Sequence, residues 1–249
     1  MKRDEFLKRG FGSLLGVAAL IACKETTVVP ATAGTTSDPT TSAGSTNGST
    51  SANCAVTPTE TAGPFPTKVP ANFVRSDIRA GRTGVPMTMT MTITIKNAGA
   101  NCGAFAGALV DVWHCDKDGY YSEYGGSGMQ NVNYQSVDFL RGRQTTDANG
   151  QVSFTTIFPG WYSGRAPHVH VHVYNASGKS LLVTQIAFPY AVTNTVYTTA
   201  QAQGYTKGAQ DTTNERDNVF SDGYTNELAT LSGSVSAGYA LTHTIVVSA

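Results

Sequence analysis

From His168 to Val173, histidine and valine alternate without a break. A β-strand sorts such a sequence: side chains alternate across the pleat, so His168, His170 and His172 share one face and Val169, Val171 and Val173 the other. The valines require a core behind them. Neighbouring histidines in this set lie about 7 Å apart at Cα, near enough for two imidazoles to meet one metal ion. His172 lies a step further and is expected at the surface or behind the ligands. Tyr162 stands six residues before His168 in a Pro159-Gly160 turn, with Arg165 between. An oxygen donor and a cation beside a His-x-His strand point to chemistry; the plain alternative is the polar face of an amphipathic strand.

The same two-residue period recurs. Met87, Met89, Met91, Ile93 and Ile95 alternate with Thr88, Thr90, Thr92 and Thr94, which predicts a half-buried strand. Further strands are expected at Ala108–His114, Arg141–Thr146, Gln151–Ile157, Ser180–Phe188 and Ala240–Val247. Asp147-Ala148-Asn149-Gly150 between two of them reads as a hairpin turn. Asn97–Gly103 is a turn, and Cys54–Thr67, with Pro58, Pro64 and Pro66, a rigid loop. Asp116–Gly119 breaks a strand and delivers Tyr120, Tyr121 and Tyr124 into a glycine-rich loop. Tyr190–Gly238 is polar and irregular, with a few helical turns expected near Val196–Gln203. Many short strands and little helix predict an all-β fold, a single β-sandwich with long irregular loops.

The chain's 249 residues, 40% of them hydrophobic, suffice for one good core. With 17 basic and 17 acidic residues it carries no surplus of positive charge for nucleic acid. The basic start and the apolar run Phe11–Ala22 read as an export signal over residues 1–22. Leu20-Ile21-Ala22-Cys23 resembles a bacterial lipobox, which makes Cys23 the lipidated first residue of the mature chain and the protein an exported one held to a membrane by that anchor alone. Lys8-Arg9 faintly resembles a twin-arginine signal. Residues 24–53 hold 14 Ser or Thr and no aromatic residue, too little apolar surface to order a segment, so 23–53 is expected to be a flexible tether and 54–249 the folded domain. Cys54, Cys102 and Cys115 then suggest one disulfide and one free thiol. An extended run from Ala108 to His114 makes Cys102 with Cys115 awkward; Cys54 with either partner stays open.

Several motifs, in order, resemble the intradiol ring-cleavage dioxygenases: Asp111-Val112-Trp113-His114-Cys115-Asp116, Gly119-Tyr120-Tyr121-Ser122, Phe139-Leu140-Arg141-Gly142, Thr146-Asp147-Ala148-Asn149-Gly150, Pro159-Gly160-Trp161-Tyr162 and Arg165-Ala166-Pro167-His168-Val169-His170. The likeness spans roughly residues 54–249. It implies a non-haem Fe(III) held by Tyr121, Tyr162, His168 and His170, with Tyr121 preferred to Tyr120 because Ser122 completes its motif. Phenolates persist at neutral pH only beside a strong cation, and the two-histidine, one-carboxylate set of Fe(II) oxygenases is not offered. The resemblance further implies a catechol-type substrate and O2, a cis,cis-muconate-type diacid product, Tyr162 as displaced ligand and base, Arg165 stabilising negative charge, and Gln185 polarising the substrate. Pro64, in Gly63-Pro64-Phe65, would line the substrate, although Ala62 stands where a glutamate is usual. His114 is expected to pack structurally; His243 has no evident partner. Only the tether precedes Cys54, so the helical dimerisation domain of cytoplasmic members is not expected, and the oligomeric state is not legible. Two rival readings remain: a zinc or copper site built on His168, His170 and His172, and a non-catalytic surface binding domain. Which catechol is preferred is not encoded legibly.

Overall fold

The computed structural model describes residues 54–96 and 101–248. The expected export signal, Cys23 and tether, and part of the Asn97–Gly103 turn, lie outside them. Among the described residues the strands are β1 (Pro86–Lys96), β2 (Cys102–Ala104), β3 (Leu109–Trp113), β4 (Arg141–Thr145), β5 (Gln151–Ile157), β6 (His168–Tyr174), β7 (Ser180–Ala187), β8 (Thr230–Ser234) and β9 (Gly238–Ser248), with one α-helix, α1 (Tyr190–Thr199). They form two sheets. In the first, β1 pairs in parallel with β9, whose other edge carries β8, while β5 and then β2 line the far edge of β1. The second has the antiparallel order β4-β3-β6-β7.

The sheets pack face to face through the residues that the two-residue period assigns inward. Met87, Met89, Met91 and Ile93 of β1, Val152 and Phe154 of β5 and Leu241, Ile245 and Val247 of β9 meet Val110 and Val112 of β3, Val169, Val171 and Val173 of β6 and Leu182 and Ile186 of β7 in one buried cluster. The product is a β-sandwich.

Three local expectations need correction. The Asp147–Gly150 turn forms, with Asp147 Oδ1 accepting the N–H groups of Asn149 and Gln151 (2.9 and 2.8 Å). It does not make a hairpin, because β4 pairs with β3 and β5 with β1. The turn passes the chain between sheets: Thr146 N–H bonds Ala108 O on one side and Ile93 N–H bonds Gly150 O on the other, so each strand can present its own apolar set to the shared core. The helix starts at Tyr190, after Pro189, earlier than expected; α1 ends at Thr199, and a 3-10 turn over Gln201–Gln203 carries the helical stretch to its expected end. β8 was not foreseen: Thr-Leu-Ser-Gly-Ser is an exposed edge strand with almost no buried side chain to mark it. The disulfide joins Cys54 to Cys102, and Cys115 is a buried free thiol.

Candidate active site

The outer face of the four-stranded sheet carries the site. Its registers set Arg141 opposite Trp113, Trp113 opposite His170 and His170 opposite Gln185, so one row across β4, β3, β6 and β7 holds a cation, an indole, an imidazole and an amide. The Trp113 and His170 rings stack with centroids 4.8 Å apart and 2° between planes, which fixes the imidazole. His168 lies two residues away on the same face, and its Nδ1 bonds Ala166 O at 2.6 Å. That bond puts the ring proton on Nδ1 and leaves Nε2 with its lone pair free. His168 Nε2 is 3.2 Å from His170 Nε2, and 3.4 Å from both Tyr121 Oη and Tyr162 Oη. Four donor atoms from three segments share one point.

Loops bring the two phenols there. Asp116 Oδ1 accepts the N–H groups of Asp118 and Tyr120, closing the turn before Tyr121. Gln130 then brackets Tyr121, its Oε1 accepting the Tyr121 N–H (2.7 Å) and its Nε2 donating to Tyr121 O (2.8 Å). Arg141, buried, donates to Ser122 Oγ and O and to Phe65 O, tying this loop to the amino-terminal one. The neighbouring Glu123 and Leu140 stand at φ 66° and 57°, a left-handed backbone that persists where surrounding bonds over-determine it. The Tyr162 turn rests on the Tyr121 turn through Gly160 N–H to Asp116 O (3.0 Å). A Cβ on Gly160 would come within 2.4 Å of Lys117 O, so this contact needs glycine. Gly63, at φ +69°, brings the third loop so close that a Cβ would lie 3.0 Å from His170 Cε1. Phe65 beyond it stacks on Tyr121 at 4.9 Å, and Pro64 between them faces solvent.

Burial dominates the electrostatics. It pushes His168 down to about 3 and His170 well below its ordinary value, so both imidazoles are neutral, the state that ligates metals. Burial likewise raises Tyr162 to about 12, with Arg165 pulling the other way, and raises Tyr121 further, with Tyr162 as the next cause. Buried groups that all offer lone pairs and carry no charge suit a cation at their centre, and a ferric ion would invert the preference of the two phenols for their protons. The donor set fits the group.

Arg165 reaches this cluster from one side. Its Nε donates to both oxygens of Asp217 at 2.9 Å and its Nη2 to Gln185 Oε1 at 2.6 Å, while Gln185 Nε2 donates to Thr61 O. Gln185 therefore holds Arg165 with its amide oxygen and ties that grip to the amino-terminal loop with its NH2. Asp217, fully buried, was missed by the sequence reading; it sits in a polar, irregular stretch that carries no periodic signal.

The other candidates fall outside. Tyr120 is half-buried, its ring against Tyr134, and Tyr124 donates to Pro66 O. His114 bonds Thr156 Oγ1 and Cys115 O. His172 Nε2 bonds Ser180 Oγ at 2.7 Å, and its ring stacks on Tyr174 at 3.9 Å. Among the described residues no three His, Cys, Asp or Glu side chains gather closely enough to hold a metal ion, so the three-imidazole reading is not what the fold builds.

Fold and site together define a β-sandwich protein with two phenols and two imidazoles converging beneath loops on one sheet. The family model described as Dioxygenase matches residues 65–203, more than half of the chain. The chain belongs to the intradiol ring-cleavage dioxygenase family. A catechol 1,2-dioxygenase from Acinetobacter lwoffii is 32% identical over a stretch covering 30% of this chain and 29% of that protein, under a third of its length. The intradiol ring-cleavage dioxygenase from Tetranychus urticae superposes with a TM-score of 0.66 at 26% identity, covering 78% of this chain and 95% of that one. The dioxygenase domain of a dioxygenase and carbohydrate-binding fusion from Streptomyces sp. SirexAA-E gives 0.52 at 25%, covering 77% and 97%. Hydroxyquinol 1,2-dioxygenase from Pseudomonas putida DLL-E4 shares the fold, with a TM-score of 0.52 at 17% identity, covering 78% and 67%.

Proposed function

We propose that this chain is a non-haem Fe(III) dioxygenase that opens a catechol-type ring with O2 to a cis,cis-muconate-type diacid. The convergence of Tyr121, Tyr162, His168 and His170 on one point carries the reading, and the catechol and hydroxyquinol named for its relatives supply the substrate class. Those four residues would hold the ion, which when bound supplies the Lewis acidity that makes an electron-rich catecholate reactive toward O2.

The chain's own groups divide the remaining work. Tyr121 is enclosed by Phe65, Trp113 and Cys115, so it is the permanent phenol. Tyr162 is only partly buried; burial raises its proton affinity, with Arg165 opposing, and with the ion bound its phenolate Oη would be the site that accepts a proton from a catechol hydroxyl. Arg165, locked by Asp217 and Gln185, offsets negative charge gathering on the ring. Pro64, at the rim of the Gly63–Phe65 loop, borders the substrate. Trp113, Phe65 and Ala62 keep water from the ligand side.

Iron reconstitution tests this. The protein should turn red-brown and consume oxygen with catechol; protein that stays pale with no uptake from any substituted catechol overturns it. We also propose export by residues 1–22 and lipid anchoring at Cys23, with residues 23–53 as tether to the 54–249 domain. The Cys54–Cys102 disulfide suits an oxidising compartment. Wild-type protein should partition into detergent and Cys23→Ser into the aqueous phase; equal partitioning refutes the anchor.

A further inference from the structure

Asp217 touches two parts of the site at once. Its carboxylate accepts Arg165 Nε through both oxygens at 2.9 Å, while Oδ2 also accepts the Ala166 N–H at 2.7 Å and Oδ1 the Val219 N–H at 2.9 Å. The carbonyl of the same Ala166 receives the Nδ1–H of His168 at 2.6 Å. One residue of backbone thus separates Asp217 from the ring that presents Nε2 to the other three donors. The carboxylate is itself fixed: a single helical turn, Asn214–Arg216, precedes it, and Asn214 Nδ2 donates to Phe188 O just beyond β7. The opposite side of the Arg165 guanidinium is held by Gln185, which lies in the His170 row. The two grips occupy Nε and Nη2 and leave Nη1 as the corner engaged by neither.

The energetics favour a role beyond neutralising charge. The Asp217 side chain is 0% exposed and that of Arg165 12%. A pair this enclosed gives up most of its attraction to desolvation; what it supplies is fixed geometry. The Arg165 charge is felt at Tyr121, Tyr162, His168 and His170 alike, so its placement bears on the whole cluster.

We infer that Asp217 is the positioning residue of this site, holding the Arg165 guanidinium by its charge and the His168 ring through the Ala166 peptide. The inference rests on the iron dioxygenase reading above.

The test uses iron-reconstituted protein and three readouts: iron affinity by chelator competition, the visible spectrum with and without anaerobic catechol, and kcat and KM from oxygen uptake. Asp217→Asn keeps an acceptor for the Ala166 N–H and loses the charge. It should retain iron affinity and colour, lose on the order of 100-fold in kcat, and alter the catechol-induced spectral change. Asp217→Ala should also weaken iron binding by roughly 10–100-fold. Asp217→Glu should recover part of the kcat. Adding Asp217→Asn to Arg165→Met should cost less than about threefold more, because its effect runs through Arg165; this pair leaves no buried charge alone, so it carries the test should a single variant not fold. A kcat for Asp217→Asn within about threefold of wild type, losses that multiply in the double variant, or unchanged iron affinity in Asp217→Ala each overturns the inference. Wild-type protein that takes up no iron overturns the dioxygenase reading itself, and the inference falls with it.

Discussion

The two outer faces of the sandwich begin from similar materials and end differently. On the five-stranded sheet, Thr88, Thr90 and Thr92 of β1 lie beside Ala240, Thr242 and Thr244 of β9 and Thr155, Ser153 and Gln151 of β5, a row of mostly small, mostly polar side chains open or half-open to water. On the four-stranded sheet, Arg141, Trp113, His170 and Gln185 occupy the equivalent outward positions, yet all are buried. Both faces obey the same strand period. The difference is the cover: three loops and the segment around Asp217 close over the second face, and once water is gone each polar group there needs a designated partner. A covered sheet face is costly to build, and it is where a neutral imidazole or a proton-holding phenol can be maintained.

His170→Ala should break the covered face most severely. It removes a donor and unstacks Trp113, so kcat/KM and iron affinity should fall by about 10³-fold or more, beyond the 10–100-fold typical when only a residue supporting a ligand is lost. Iron-chelator titration beside oxygen uptake checks it, and retained affinity would exclude His170 as a ligand. Phe154→Ala strikes the layer both faces share. Phe154 is fully buried between the sheets, so chemical denaturation should show a loss of about 3–5 kcal/mol, with turnover per folded molecule little changed.

A smaller effect belongs to Glu227, fully buried under the covering segment with Thr184 Oγ1 donating to its Oε1. Burial, and then the nearby Glu60, raise its carboxyl from the ordinary 4.5 to about 8; Glu60 itself is raised to about 7, mainly by burial. The folded state therefore keeps a proton that the unfolded chain gives up above pH 4.5, and stability drains away as pH climbs toward 8. Glu227→Gln, which cannot ionise, should gain in Tm relative to wild type between pH 5 and pH 8; a difference independent of pH would refute the buried acid. The smallest effect is expected on the open face. Thr242→Val should change stability by less than about 0.5 kcal/mol and leave oxygen uptake alone. A large loss in either would show that the threonine face, too, is covered by something.

Much of this architecture was legible beforehand, for reasons visible in single residues. The His-Val alternation placed β6 and its two faces, and the Met-Thr alternation placed β1, because a strand with one wet and one dry side writes that asymmetry into every second position. Tyr121 and Tyr162 could be named through the family resemblance of the motifs Gly119-Tyr120-Tyr121-Ser122 and Pro159-Gly160-Trp161-Tyr162. Where local pattern and partner choice part company, the sequence misled: Asn149-Gly150 makes a turn wherever it occurs, and nothing local says whether the strands it joins will pair with each other or enter different sheets. β8 left no trace because an exposed edge strand need bury nothing.

By itself, then, the sequence determined the strands that line the core, their inward faces and the kinds of side chain available for chemistry, since these depend on neighbours one or two residues away. Only the tertiary structure decided that Cys54 meets Cys102, that His172 turns to Ser180 instead of joining His168 and His170, and that Asp217 closes on Arg165 from 52 residues along the chain. Those outcomes hinge on which distant segments exclude water together, and burial of that sort is a property of the folded whole that no short stretch of residues can express.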